Sequence, residues 1–485
     1  MDTNNVKHSA GVLPSQAQLD SALQSLHHEL PDDGLGDDLA QQHMTRDIVP
    51  ALNQSSLSSR YYGFVTGGAT PVAAFADNLV TRYDQNVQVH LPGETIATNV
   101  ESAALDLICD LLELDPKAWE HRTFTTGATA SNIVGLACAR EYVVTTAASR
   151  LGRQIDVSSL GLFVGMREAG IDDVQILTSA PHSSLRKAAS IVGLGHASVK
   201  DIGISGQPYR IDLDALESML QIPRTASIIA ISCAEVNSGL FATNGEEMIK
   251  VRELADRHGA WIHIDAAFGL LARVLPSSDA RYADLKAGVE GMEIADSIAG
   301  DAHKLFNVPY DCGIFLSRHL SNAISVFQNP GAPYLSTSAG SIPSPLNIGI
   351  ENSRRFRALP VYANLIAYGR KGFREMLQRQ IELARTIAAW IQASEGYQLL
   401  SLDMNASPEE RLRSIFVIVL FRHKDEGLNA TLVKKINSSR QIYVSGTKWG
   451  GKDAARFAVS NWQADAERDW EVIRDVLINV TSDDG

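Results

Sequence analysis

TASIIAISCAEVNSGLFATNGEEMIKVRELADRHGAWIHIDAAFG (Thr225–Gly269) reads as one strand–helix–strand unit. ASIIAIS and AWIHID are short apolar runs, the pattern of strands covered on both faces. Gly245–His258 between them carries a helical stretch. The same rhythm continues outward, with DVQILTS (Asp173–Ser179) upstream and GIFLS (Gly313–Ser317) downstream. TFTTG (Thr123–Gly127) enters a turn at Gly127, ahead of an Ala/Val-rich helix running to about Ala148. Strands alternating with helices predict an α/β domain on a mostly parallel sheet. Such sheets place their ligand sites at the carboxyl ends of strands.

The whole chain has 485 residues, enough for roughly three structural units. Hydrophobic residues are 45% and charged residues 20%, the balance of an ordinary globular protein. Forty-three Lys and Arg against 56 Asp and Glu leave a formal charge of −13, with no basic stripe. Nucleic acid and anionic membrane surfaces are therefore poor partners. No apolar run approaches the ~18 residues of a membrane span. The start, MDTNNVKHSAGVLPSQ, lacks the apolar centre of a secretory signal. Cys109, Cys138, Cys233 and Cys312 are widely spaced among apolar neighbours, as buried thiols in a reducing compartment would be. The expectation is a cytoplasmic globular protein of enzyme size.

Residues 1 to about 45 are polar and carry PDDGLGDD (Pro31–Asp38), which suits a loosely docked arm. A helix is expected over Asn99–Leu114, capped by Asn99. After Ser341 the style changes to a long helix near Val361–Ser394, the apolar run SIFVIVLF (Ser414–Phe421), the strand-like RFAVSNW (Arg456–Trp462) and a final amphipathic helix from Asp465. The expected organisation is an arm with a helical segment over 1–100, a large α/β domain over 101–350 and a smaller α+β domain over 351–485.

Four motifs carry chemistry. TTGATASN (Thr125–Asn132) lies at a strand–helix turn, where free amides and the helix dipole favour an anion; small residues there also serve simple packing. HIDAAFG (His263–Gly269) delivers Asp265 to a strand end, followed by two alanines that leave room for a flat group. DSIAGDAHKLFNVPYDCG (Asp296–Gly313) sets Lys304 in an apolar context, which favours a neutral, nucleophilic amine. SAPHSSLRKAAS (Ser179–Ser190) offers His182 at a helix start. A phosphate cradle, a carboxylate for a pyridinium nitrogen, a stacking ring and a buried lysine together meet the needs of pyridoxal 5′-phosphate.

The order TTGATASN, PHSS, HIDAA, DAHK and SRRFRALP resembles the group II pyridoxal-phosphate amino-acid decarboxylases, from about Tyr61 to the C-terminal helix. The resemblance implies the fold-type I architecture, a homodimer with active sites at its interface, and conversion of an L-amino acid to an amine and carbon dioxide. It places the cofactor-bearing lysine on Lys304 and the ring-nitrogen carboxylate on Asp265. It also puts the small residue under the ring on Ala267 and the stacking histidine on His182. Ala128, Thr129 and Ala130 fall where the family holds the phosphate, with Ser297 and His303 near the same group. Thr98 matches a threonine on the substrate side, and Arg355 a basic residue tied to ligand and loop positioning. Tyr334, in NPGAPYLSTSAG, matches a loop tyrosine that returns a proton to the substrate carbon in the partner's site. Tyr61, Tyr62 and Phe64, with Thr98, are the expected pocket wall and suit an aromatic or bulky apolar side chain.

Glu235, Asp301 and Leu305 depart from the threonine, asparagine and tryptophan common in relatives, which marks an outlying branch. Aldehyde synthesis and carbon–carbon lyase or condensing chemistry are the alternatives within the fold. A metal-dependent hydrolase using His263, Asp265 and His303 is the rival from another class, alongside a non-catalytic scaffold. Tyrosine at 334 favours simple decarboxylation. Tyr334→Phe is expected to divert product from amine toward aldehyde, ammonia and peroxide; unchanged amine yield and rate would reject the loop assignment.

Overall fold

The strand–helix–strand unit forms as its pattern requires. The structure is a computed structural model that describes residues 11–329, 342–400 and 406–482. In chain order the strands are β1 (Tyr61–Tyr62), β2 (His121–Thr125), β3 (Asp173–Thr178), β4 (Val199–Asp201), β5 (Gly203–Ile204), β6 (Gln207–Ile211), β7 (Thr225–Ser232), β8 (Trp261–Asp265), β9 (Ser297–Asp301), β10 (Gly313–Ser317), β11 (Tyr397–Leu399), β12 (Ile418–His423), β13 (Tyr443–Trp449) and β14 (Lys452–Ala458). Seven of them make the large sheet, in the order β2-β10-β9-β8-β7-β3-β4. β4, β3, β7, β8 and β9 run parallel, and β10 is antiparallel to both β9 and β2. Ile228 through Ile231 are buried along β7, which is why that run shows no alternation.

Between β7 and β8 the helix Gly245–His258 starts on a capping box of Asn244 and Glu247 and stops at Gly259, whose φ is +69°. A side chain at Gly259 would be strained by that backbone and would also press on Thr146. The register pairs Ser232 with Asp265 and Asp265 with Ala299, so the carboxyl ends of β7, β8 and β9 open at one level.

The helix expected from Asn99 runs instead over Ala97–Leu111. Thr95 Oγ1 accepts the Ala97 amide, so the chain turns into the helix before Asn99, which lies within its first turn. The long helix spans Ala358–Ala393 and is broken at Gly369. The second sheet, β1-β13-β14-β12-β11, carries the C-terminal core, where Phe421 stacks on Phe457 at 5.2 Å. Its edge strand β1 comes from the N-terminal part of the chain, with Tyr61 opposite Tyr443 and Tyr62 opposite Val444. The four cysteines are free and buried. Among the described residues no helix is long and apolar enough to cross a membrane.

Arg354 ties the N-terminal helices to the large sheet. Its guanidinium is buried, pairs with the buried Glu101, and donates to Val87 O at 2.8 Å and Phe124 O at 2.9 Å. Deleting one partner strands a buried charge. Arg354→Ala is expected to destabilise the protein by about 3–5 kcal/mol, read as a drop in the denaturant midpoint; a loss under 1 kcal/mol would show that the pair is dispensable.

Candidate active site

A cavity of about 370 Å³ opens at the carboxyl ends of β7 and β8. The helix Ala128–Arg150 points its N-terminus into it from Gly127. Helix geometry leaves the Thr129 and Ala130 amides without intrahelical acceptors. Gly127 keeps this end open, because a Cβ there would approach His303 Cε1 at 3.2 Å and Asp301 Oδ1 at 3.3 Å.

Asp265 ends β8 and turns its carboxylate to the cavity. Asn132, one turn into the helix, donates Nδ2–H to Asp265 Oδ2 at 3.0 Å. The same amide donates to Ser184 Oγ at 3.3 Å, and its Oδ1 faces His263 Nε2 at 2.9 Å. With Asn132 Oδ1 as acceptor, His263 carries its proton on Nε2, and Nδ1 accepts from Ser297 Oγ at 2.8 Å. Ser297 Oγ in turn accepts from Trp261 Nε1 at 2.9 Å. Burial pushes the His263 imidazole down to about 4, so it stays neutral as this chain requires.

His182 is the N-cap of the helix Ser183–Ile191; its Nδ1 lies 2.6 Å from Ser184 Oγ and accepts the Ser184 amide. Burial lowers its pKa, against the opposing pull of Asp265. Lys304 follows β9 and places Nζ 2.8 Å from Asp301 Oδ2 and 5.9 Å from the centre of the Phe268 ring. Gly67 packs so tightly on this loop that a Cβ there would lie 1.8 Å from Lys304 O, and Asn307 Nδ2 donates to Gly67 O. His303 accepts the Cys312 amide on Nδ1, and Tyr310 lies over its ring at 4.4 Å.

The structure thus gathers Ala128, Thr129, Ala130, His182, Asp265, Ala267, His303, Lys304 and Phe64 around one cavity. It does not bring the other expected residues there. Ser297 begins β9, at the end of the strand away from the cavity, and is buried in the core with its Oγ on His263. Tyr62 packs in the C-terminal core against Phe457, and Tyr61 stacks on Tyr443 at 4.5 Å, outside the cavity lining. Thr98 is buried against His90, and Arg355 pairs with Asp77 at 2.6 Å, both outside the cavity. Tyr334 lies outside the described residues.

Asn132, Ser184, Phe268 and Tyr310 went unassigned from sequence. Asn132 was visible within TTGATASN, but only the folded sheet brings it to Asp265. The hydrolase reading fails on geometry. Both His263 nitrogens are engaged within the protein, and the described residues hold no cluster of three metal-ligating side chains.

The sequence pattern of the pyridoxal-dependent decarboxylase conserved domain matches residues 41–408. The chain belongs to that family. Among its relatives, L-2,4-diaminobutyrate decarboxylase of Acinetobacter baumannii is 27% identical over 65% of this chain and 58% of its own length. Tryptophan decarboxylase 1 of Oryza sativa subsp. japonica is 23% identical over 90% and 84%. The solved Oryza sativa TDC with PLP and tryptamine superposes with a TM-score of 0.79 at 18% identity, over 97% of this chain and 93% of that one. Mouse CSAD gives 0.78 at 18% identity, over 98% and 94%. The fold is that of the fold-type I pyridoxal-phosphate enzymes, and the protein is a pyridoxal-phosphate-dependent carboxy-lyase acting on an amino acid.

The cavity fits the family's cofactor. Open amides and the lysine amine stand at one end, an oriented carboxylate at the other, and Ala267 and His182 leave space for a flat ring. Asn132→Ala removes buried hydrogen bonds worth about 1–3 kcal/mol together. Both thermal stability and cofactor affinity are expected to fall, affinity by about tenfold. Unchanged affinity in a titration of the cofactor-free protein would show that Asp265 needs no orienting amide.

Proposed function

We propose that this decarboxylase converts an L-amino acid with an aromatic or bulky uncharged side chain into its amine. The observation that carries this reading is the cavity wall. Phe64, Phe268 and Tyr310 face the site, and among the described residues its lining contains no arginine to take a second carboxylate. Glu235 and Asp301 add negative charge, which further disfavours an acidic substrate. The tryptophan and tyrosine decarboxylases among the relatives support the same class.

Glu235 raises a second reading, a cationic side chain such as that of the diaminobutyrate enzyme's substrate. Its carboxylate is already engaged, however. Oε1 accepts from Asn237 N and Nδ2 at 3.0 Å, and Oε2 from Ser238 N and Oγ at 2.8 and 2.9 Å. A carboxylate stitched into its own turn has little left for a ligand. The aromatic reading is preferred.

Pyridoxal 5′-phosphate, when bound, supplies an aldehyde for the substrate amine and a cationic ring that accepts the electron pair released with carbon dioxide. Lys304 would hold the aldehyde, and the Thr129 and Ala130 amides the phosphate. Asp265, aimed by Asn132, would hold the proton on the ring nitrogen. Neutral His182 would cover one face of the ring and Ala267 the other. Phe268, which is buried, would shield the reacting carbon from water. Tyr334 would return the proton to that carbon from the partner subunit of a homodimer.

Incubation with a set of L-amino acids, with amine, carbon dioxide and peroxide measured, tests the reading. Aromatic substrates are expected to yield amine, and glutamate and cysteine sulfinate none. Preferential turnover of an acidic or cationic amino acid would overturn the proposed class. Lys304→Ala should lose the visible absorbance of the loaded protein and cut turnover on the order of a thousandfold or more. A retained band would move the lysine's role elsewhere.

A further inference from the structure

Asp301 holds three groups of the site at once. Its side chain is 4% exposed. Oδ2 takes Lys304 Nζ at 2.8 Å, and Oδ1 accepts the Ala128 amide at 2.6 Å, with His303 Nε2 at 3.5 Å. Ala128 is the first residue of the helix whose N-terminus forms the anion end of the cavity. A carboxylate therefore already occupies one donor of that end.

The surrounding charges sharpen the point. His303 accepts the Cys312 amide on Nδ1, and burial lowers its pKa, so it stands as a neutral donor. Among the described residues Lys304 is the only lysine or arginine lining the cavity, while Asp265 and Glu235 face the same space and the buried Arg456 lies beside Glu235. A phosphate arriving at the open Thr129 and Ala130 amides meets a buried carboxylate beside it, where like charges are poorly screened.

We propose that Asp301 is a resident anion in the phosphate cradle, competing with the cofactor's phosphate for the N-terminus of the Ala128–Arg150 helix and thereby setting how tightly the cofactor is held. This rests on the reading that the phosphate lies at that helix end. Asparagine at 301 would keep an oxygen for the Ala128 amide and remove the competing charge, its amide nitrogen taking the place of Oδ2. The protein with aspartate holds its cofactor more loosely, so its loading follows the supply of free cofactor.

The test uses the full chain stripped of cofactor and titrated with pyridoxal 5′-phosphate and, separately, with pyridoxal, which lacks the phosphate. Binding is followed by visible absorbance and tryptophan fluorescence. Asp301→Asn is expected to lower the dissociation constant for pyridoxal 5′-phosphate by about tenfold or more, with a clearly smaller change for pyridoxal. Inorganic phosphate should raise the melting temperature of the stripped variant more than that of the stripped parent. Asp301→Ser carries the same comparison if the asparagine variant does not fold.

An unchanged or weaker affinity for pyridoxal 5′-phosphate overturns the proposal. So does an equal gain for both ligands, which would confine Asp301 to the Lys304 amine. If the parent protein binds pyridoxal as tightly as its phosphate ester, the placement of the phosphate is itself wrong, and that failure is read without any variant.

Discussion

The side-chain amide of Asn132 joins the two halves of this site. An amide has a donor end and an acceptor end, and here both are used, the donor by Asp265 and the acceptor by His263. That choice propagates through the sheet: His263 must accept from Ser297, and Ser297 must accept from Trp261. Each buried polar atom in the row has a partner, which removes the desolvation cost an orphan would carry. The result is a carboxylate at 265 whose direction is fixed toward the cavity.

At the other end of the cavity the balance of charge is set by Asp301 and Lys304. The helix N-terminus, the lysine and the carboxylate form one electrostatic unit, with His303 neutral beside it. Around this polar floor the wall is aromatic, from Phe64, Phe268 and Tyr310. A polar floor with an apolar wall fits a ligand whose reactive end is ionic and whose side chain is not. Glu235 looks like an exception in sequence, yet its four hydrogen bonds belong to its own turn.

That His182, Asp265 and Lys304 meet at one cavity was legible because each sits at a local landmark: a helix start, a strand end, and a loop in an apolar context. Ser297 was misplaced for a reason equally physical. Ser297 and Asp301 share one face of β9 but stand at opposite ends of the strand, so position 297 meets His263 in the core while Asp301, at the carboxyl end, faces the cavity. Tyr62 was misplaced because β1 is too short to announce its partner. Its place in the C-terminal core depends on pairing with β13, far along the chain. Thr98 and Arg355 were assigned by motif, and each is tied to a nearby side chain instead, His90 and Asp77.

Sequence by itself determined the parallel α/β core and the family, and it singled out Lys304, Asp265 and His182, which the fold gathers around one cavity. Those follow from periodicity over a few residues and from chemistry at element ends. Tertiary structure alone decided which polar side chains meet. The Asn132 row, the Asp301 carboxylate on the Ala128 amide and the aromatic wall each join segments distant in sequence. Hydrogen bonds act over about 3 Å, and no local pattern encodes which remote residues packing will bring within that distance.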